Sequence, residues 1–206
     1  MASDKTQGSS GISELIKLVE SGSQFKAWRS SNKAAQLSSV FTMAGNAGEL
    51  TASNPANEWL LSYYDKKDDS FTTFSSLGTQ RAAREQAFKK GKSLPKLDVG
   101  AVQVMISMGI EIAEGVRATN YKGEGTSRII AILQPLTQNE ILAGNESDSG
   151  KGNSKKAEPK ASVRPVWNIT YITTAYNVIN IKIDAENGKV LSHRLSGVMD
   201  FMQKDK

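Results

Sequence analysis

Pro165-Val166-Trp167-Asn168-Ile169-Thr170-Tyr171, followed by Val178-Ile179-Asn180-Ile181-Lys182-Ile183-Asp184-Ala185-Glu186-Asn187-Gly188-Lys189-Val190-Leu191, is the stretch that decides the fold. In its second half Ile179, Ile181, Ile183 and Ala185 alternate with Asn180, Lys182 and Asp184. That is the period-two pattern of a strand with one buried and one wet face. The first half reads as a strand opening on a tryptophan, and Asn187-Gly188 supplies the positive backbone angles of a tight reversal. A ribbon of this kind needs an apolar surface to lie on. Residues 99–116 offer one, because Val99, Val102, Ile106, Ile110, Ala113 and Val116 recur at helical spacing as one stripe.

The order helix, strand, Trp-led strand, strand, then Asp-Ala-x-x-Gly-x-Val-Leu, resembles the PepSY family of small cystatin-like modules. The resemblance covers residues 98–193 around an insertion, and its sharpest words are Trp167, Asn168, Tyr171 and residues 183–191. It implies a non-catalytic binding or regulatory module, of a kind found outside the cytoplasmic membrane or in the propeptides of secreted peptidases. Such a module engages a peptide, a peptidase or another protein through a sheet face or edge.

Upstream the same order recurs. Ile12, Leu15, Ile16, Leu18 and Val19 form an amphipathic stripe leading through Phe25 and Trp28 to a strand over residues 37–43. Then Trp59-Leu60-Leu61-Ser62-Tyr63-Tyr64-Asp65 and Phe71-Thr72-Thr73-Phe74 make an antiparallel hairpin. Trp59-x-x-x-Tyr63 and Trp167-x-x-x-Tyr171 share their spacing, which in a strand puts both rings on one side. The expected fold class is therefore α+β, a helix packed on a small antiparallel sheet, repeated as two cystatin-like units. Residues 1–11 are a flexible N-terminus, 12–78 the first unit, 79–97 a basic helical linker and 98–206 the second unit. Within 79–97, Thr79 is a fair helix N-cap and Gly91 a fair stop. The second unit carries a mobile insertion at about 136–163, of which residues 144–161 hold no aromatic or β-branched side chain to bury. Leu195, Val198, Met199 and Met202 have the spacing of a short C-terminal docking helix.

The net charge of +5 is concentrated. Arg81, Arg84, Lys89, Lys90, Lys92 and Lys96 face one acid, Glu85, over residues 81–96. A stretch like this suits phosphate, acidic lipid or an acidic protein, while its plainer reading is a solvated helix face. Only Phe88 interrupts the bases, so no stacking platform for single strands is spelled out.

Chemistry is sparse. With no cysteine and one histidine, His193, disulfides, thiolate nucleophiles and the usual zinc sets are closed, and no metal or cofactor site is expected. Asp65, Asp68 and Asp69 lack the glycine and distal glutamate of a calcium loop. Gly123-Glu124-Gly125 follows a helix and precedes a strand, the reverse of a phosphate-binding loop. Asn145-Glu146-Ser147 and Asn168-Ile169-Thr170 fit the short glycosylation pattern. No catalytic residue is expected. No apolar run reaches the roughly 18 residues of a membrane span, and the first eleven residues lack the order of a signal peptide. The compartment is then the cytoplasm, or the envelope if a leader has been removed. Two function classes follow. The first is a protein- or peptide-binding module whose contacts are the sheet aromatics Tyr63, Tyr64, Trp167 and Tyr171. The second is a cytoplasmic interaction protein that binds nucleic acid or an acidic partner through residues 81–96. The oligomeric state is open.

Overall fold

In the computed structural model, which describes residues 10–50, 57–78, 85–86, 94–142 and 162–197, the isoleucine-rich ribbon forms as its alternation requires. Strands β6 (Val163–Thr173), β7 (Asn177–Asp184) and β8 (Val190–Gly197) pair antiparallel, and Ile179, Ile181, Ile183 and Ala185 are fully buried. The helix they lie under, α3 (Ile106–Asn120), buries Ile106, Ile110 and Ala113 against them. Gly109 faces the sheet here, and a Cβ at that position would meet Trp167 Cδ1 at an ordinary 3.5 Å.

The helix begins later than its apolar stripe. Val99–Ala101 is a 3-10 turn capped by Asp98, whose Oδ1 accepts from the Gly100 N–H. The Gln103 and Val104 amides then donate to the Ala185 carbonyl, at 2.8 and 2.9 Å. This contact explains the Asp-Ala-x-x-Gly words. Asp184 Oδ1 accepts from the Glu186 amide and Oδ2 from Arg164, while Ala185, with no exposure, leaves room for residues 103–104 to dock. Gly188 alone takes the positive φ, at 79°; Asn187 does not share it.

In the N-terminal part, helices α1 (Ser10–Ser21) and α2 (Ser23–Ser31) lead into β1 (Gln36–Ala44), β2 (Trp59–Asp65) and β3 (Ser70–Ser75). Ile12, Leu15 and Val19 are buried, but Leu18 of the expected stripe is 61% exposed. Phe25 and Trp28 on α2 pack with Tyr63 and Phe74 in a cluster of ring centroids 5.0–5.9 Å apart.

The two parts do not form separate units, which corrects the expected fold class. All the described strands belong to one antiparallel sheet, ordered β4-β3-β2-β1-β5-β6-β7-β8, where β5 is Thr126–Thr137 and β4 the two-residue Glu85–Gln86. The Trp59 and Trp167 strands therefore share an undivided sheet-rich fold, in place of a helix on a small sheet made twice. The seam is β1 against β5, in register from Val40↔Leu133 to Ala44↔Ile129. Two first strands with apolar side chains on both faces would otherwise each present a bare edge. Pairing them satisfies both.

Two further expectations change. Glu85 and Gln86 pair with Phe71 and Ser70 as strand, so no continuous helix spans the basic segment. Leu195 lies in β8 and is 43% exposed, while residues 198–206 of the expected docking helix lie outside the described residues. Among the described residues no helix is long and apolar enough to cross a membrane.

Candidate functional site

Among the described residues, helices α1, α2 and α3 cover one face of the sheet, and only one short helix lies on the other. Strand alternation fixes what the open face carries. One row of cross-strand neighbours runs Ser75, Leu60, Phe41, Ile132, Asn168, Lys182, Ser192, and the next runs Met43, Ile130, Thr170, Asn180, Arg194. The face is divided. Its β2-β1-β5 half presents Leu60, Phe41, Ile132, Ile130 and Met43, all partly exposed and Met43 to 41%. Its β6-β7-β8 half is polar. Asn180 Nδ2 donates to Asn168 Oδ1 at 2.6 Å and to Thr170 Oγ1 at 2.9 Å, which locks that half into a hydrogen-bonded ladder.

Helix α4 (Gln138–Leu142) closes the polar half on one side. Thr137 caps it reciprocally with Glu140, the Glu140 carboxylate accepting from the Thr137 amide and hydroxyl. Ile141 is 1% exposed, and Lys182 Nζ donates to the Glu140 and Ile141 carbonyls at 2.8 and 3.1 Å. Burial pushes the Lys182 ammonium below the usual lysine range and Arg194 pushes it further, while Glu140 opposes them. Arg128 and Arg194 are exposed at the margins, and Arg128 Nη1 lies 3.6 Å from Met43 Sδ. Arg128 thus borders the apolar half at Met43, Glu58 stands at its Leu60 end, accepting from Ser75 Oγ, and Arg194 lies beyond the polar half on β8.

The four aromatics expected at a docking surface are all buried: Trp167 and Tyr171 at 0% exposure, Tyr63 at 1% and Tyr64 at 3%. Trp167 Nε1 donates to the Val104 carbonyl at 2.8 Å and pins the approach to α3. Tyr63 Oη donates to Glu20 Oε1 at 2.9 Å, and burial together with that carboxylate pushes its phenol far up. Tyr171 Oη meets no partner at hydrogen-bond geometry, yet Glu114 stands near enough to add to the upward push of burial. Tyr64 faces the open side, but Phe71 covers its ring at 5.4 Å and its hydroxyl donates to Asp69. These rings are core, as the size of a buried aromatic favours. Direct contact with a partner is closed to them.

Of the basic segment, Lys96 is exposed, and Arg81, Arg84, Lys89, Lys90 and Lys92 lie outside the described residues. His193 sits on exposed β8, its Nδ1 2.7 Å from the Tyr121 hydroxyl. Among the described residues no three acidic or histidine side chains come together as a metal site.

Sequence reasoning passed over the open-face residues Phe41, Met43, Ile130 and Ile132. Their signal was present: Val40-Phe41-Thr42-Met43-Ala44 and Ile129-Ile130-Ala131-Ile132-Leu133 are nearly unbroken apolar runs, and a strand that fails to alternate carries apolar side chains on both faces.

No family model matches the chain, so the PepSY resemblance rests on its few words alone. No curated protein matches it either. Among solved structures, a Clostridium difficile 630 protein classed provisionally as a lipoprotein is similar, with 11% identity, 84% of this chain and 90% of that chain covered, and a TM-score of 0.44. Likeness at that level does not bear on what either protein binds.

Proposed function

We propose that the protein is a non-catalytic binding module that engages a segment of another protein on the open face of its sheet. The observation that carries this reading is the apolar patch of Leu60, Phe41, Ile132, Ile130 and Met43, which no described helix covers while the opposite face is fully packed. Contiguous apolar surface rimmed by polar groups marks interaction sites. The rim selects the partner's charge. Arg128 borders the patch beside Met43, so the fitting segment is apolar along one side and carries an acidic group at that end.

A short fluorescein-labelled peptide alternating valine with glutamate is the probe. Fluorescence anisotropy is expected to show saturable binding that weakens with salt and with lysine in place of glutamate. Met43→Glu combined with Ile130→Glu is expected to lower affinity at least about tenfold, with circular dichroism unchanged. Equal binding of the acidic and basic peptides, or full affinity in the double variant, would overturn the reading.

A further inference from the structure

We infer that a groove on the helix-covered side, against α2, binds a small organic anion: one carboxylate or phosphate carried on an apolar or aromatic body. The groove is an open depression of about 440 Å³ lined by Glu20, Phe25, Lys26, Arg29, Ser30 and Lys33. Small-molecule sites take roughly 300–1,000 Å³, so the space admits such a ligand. Its chemistry is set by three cations from α2 and the turn that leaves it.

Arg29 is fixed before any ligand arrives. Its guanidinium carbon lies 5.1 Å from the Phe25 ring centroid and 5.3 Å from those of Trp28 and Tyr63. Its Nη1 donates to the Ala35 and Asn32 carbonyls. A side chain held on this many sides has little rotamer freedom left to lose on binding. Lys26 and Lys33 are exposed and form no ion pair with a described residue, so two charges stay available.

Glu20 narrows the ligand class. One of its oxygens accepts the Tyr63 hydroxyl, and the carboxylate remains in the wall, where it opposes a dense polyanion but tolerates one anionic group near the lysines. Phe25 is buried at 5% exposure, so the apolar surface for the ligand's body is the half-buried Trp28 ring beside Arg29. The site shares no residue with the open sheet face and stands or falls independently of it.

Trp28 is a built-in reporter, because its ring borders Arg29 while Trp59 and Trp167 are buried. The full chain is titrated with phenyl phosphate, with benzoate, with inorganic phosphate and with neutral benzyl alcohol, following tryptophan emission and, in parallel, heat by calorimetry. Phenyl phosphate and benzoate are expected to bind saturably and to weaken with salt. The Lys26→Gln, Lys33→Gln double variant, which removes only exposed charges, is expected to bind about tenfold more weakly. The Met43→Glu, Ile130→Glu pair is expected to leave this binding unchanged. The inference is overturned by absence of saturable heat, by full affinity in the lysine double variant, or by benzyl alcohol or inorganic phosphate binding as tightly as phenyl phosphate.

Discussion

The two core tryptophans permit a test by difference. Trp59 and Trp167 are buried to 1% and 0% exposure, so replacing either indole by a phenyl ring removes similar apolar volume and costs on the order of 1–2 kcal/mol. Their N–H groups differ. Trp167 Nε1 donates to the Val104 carbonyl at 2.8 Å, and Trp167→Phe strips that acceptor of its donor, adding about 1–3 kcal/mol. Trp59 Nε1 is buried with no partner among the described residues, so Trp59→Phe removes a polar group already stranded and recovers about 1–3 kcal/mol. Trp59→Phe should therefore come out near neutral and Trp167→Phe clearly destabilising, a gap of at least about 2 kcal/mol. Urea unfolding of both variants beside the parent, compared at equal m-values, reads this directly. Losses that agree within about 0.5 kcal/mol would refute the reasoning from hydrogen-bond partners.

Other expectations are as concrete. Gly188→Ala forces a side chain into positive φ and places its Cβ 3.2 Å from Ile112 Cδ1, which should cost about 1–2 kcal/mol by thermal or chemical melting. Gly109→Ala should act the other way. Its Cβ meets Trp167 Cδ1 at an ordinary 3.5 Å, and an alanine inside α3 should add about 0.5–1 kcal/mol of stability. At alkaline pH the Tyr63 and Tyr171 phenols, pushed up by burial and then by Glu20 and Glu114 respectively, keep protons that the unfolded chain releases above about pH 10. Their contribution to stability is complete below that pH and falls as pH rises beyond it. Phenolate absorbance should report these two tyrosines only as circular dichroism is lost, and their titration in the folded chain would contradict the assignment.

Local pattern carried the strands and helices well. Ile179, Ile181 and Ile183 alternate because one face of β7 is packed and the other polar, and the spacing of Ile106, Ile110 and Ala113 names the buried side of α3. Long-range pairing was not legible. Nothing in Val40-Phe41-Thr42-Met43-Ala44 says that its neighbour is Ile129-Ile130-Ala131-Ile132-Leu133, some ninety residues away, and reading each half as self-contained followed from missing that pair. The aromatics misled for a related reason. Trp and Tyr serve cores and interfaces alike, and only the placement of the helices shows that Tyr63, Trp167 and Tyr171 face inward. Leu195 has helical spacing to Val198, yet its backbone pairs with Ile179 in the sheet.

The seam between β1 and β5 has a consequence for the life of the chain. Since each strand completes the other, a polypeptide released or cleaved before both are made would hold a long sticky border, and a second molecule could fill it as well as its own missing half. Exchange of C-terminal halves between two molecules would restore every backbone pairing at the seam with no new contact invented. Slow folding at high concentration is thus a route to intertwined dimers for this protein, and dilution during refolding a way to avoid them.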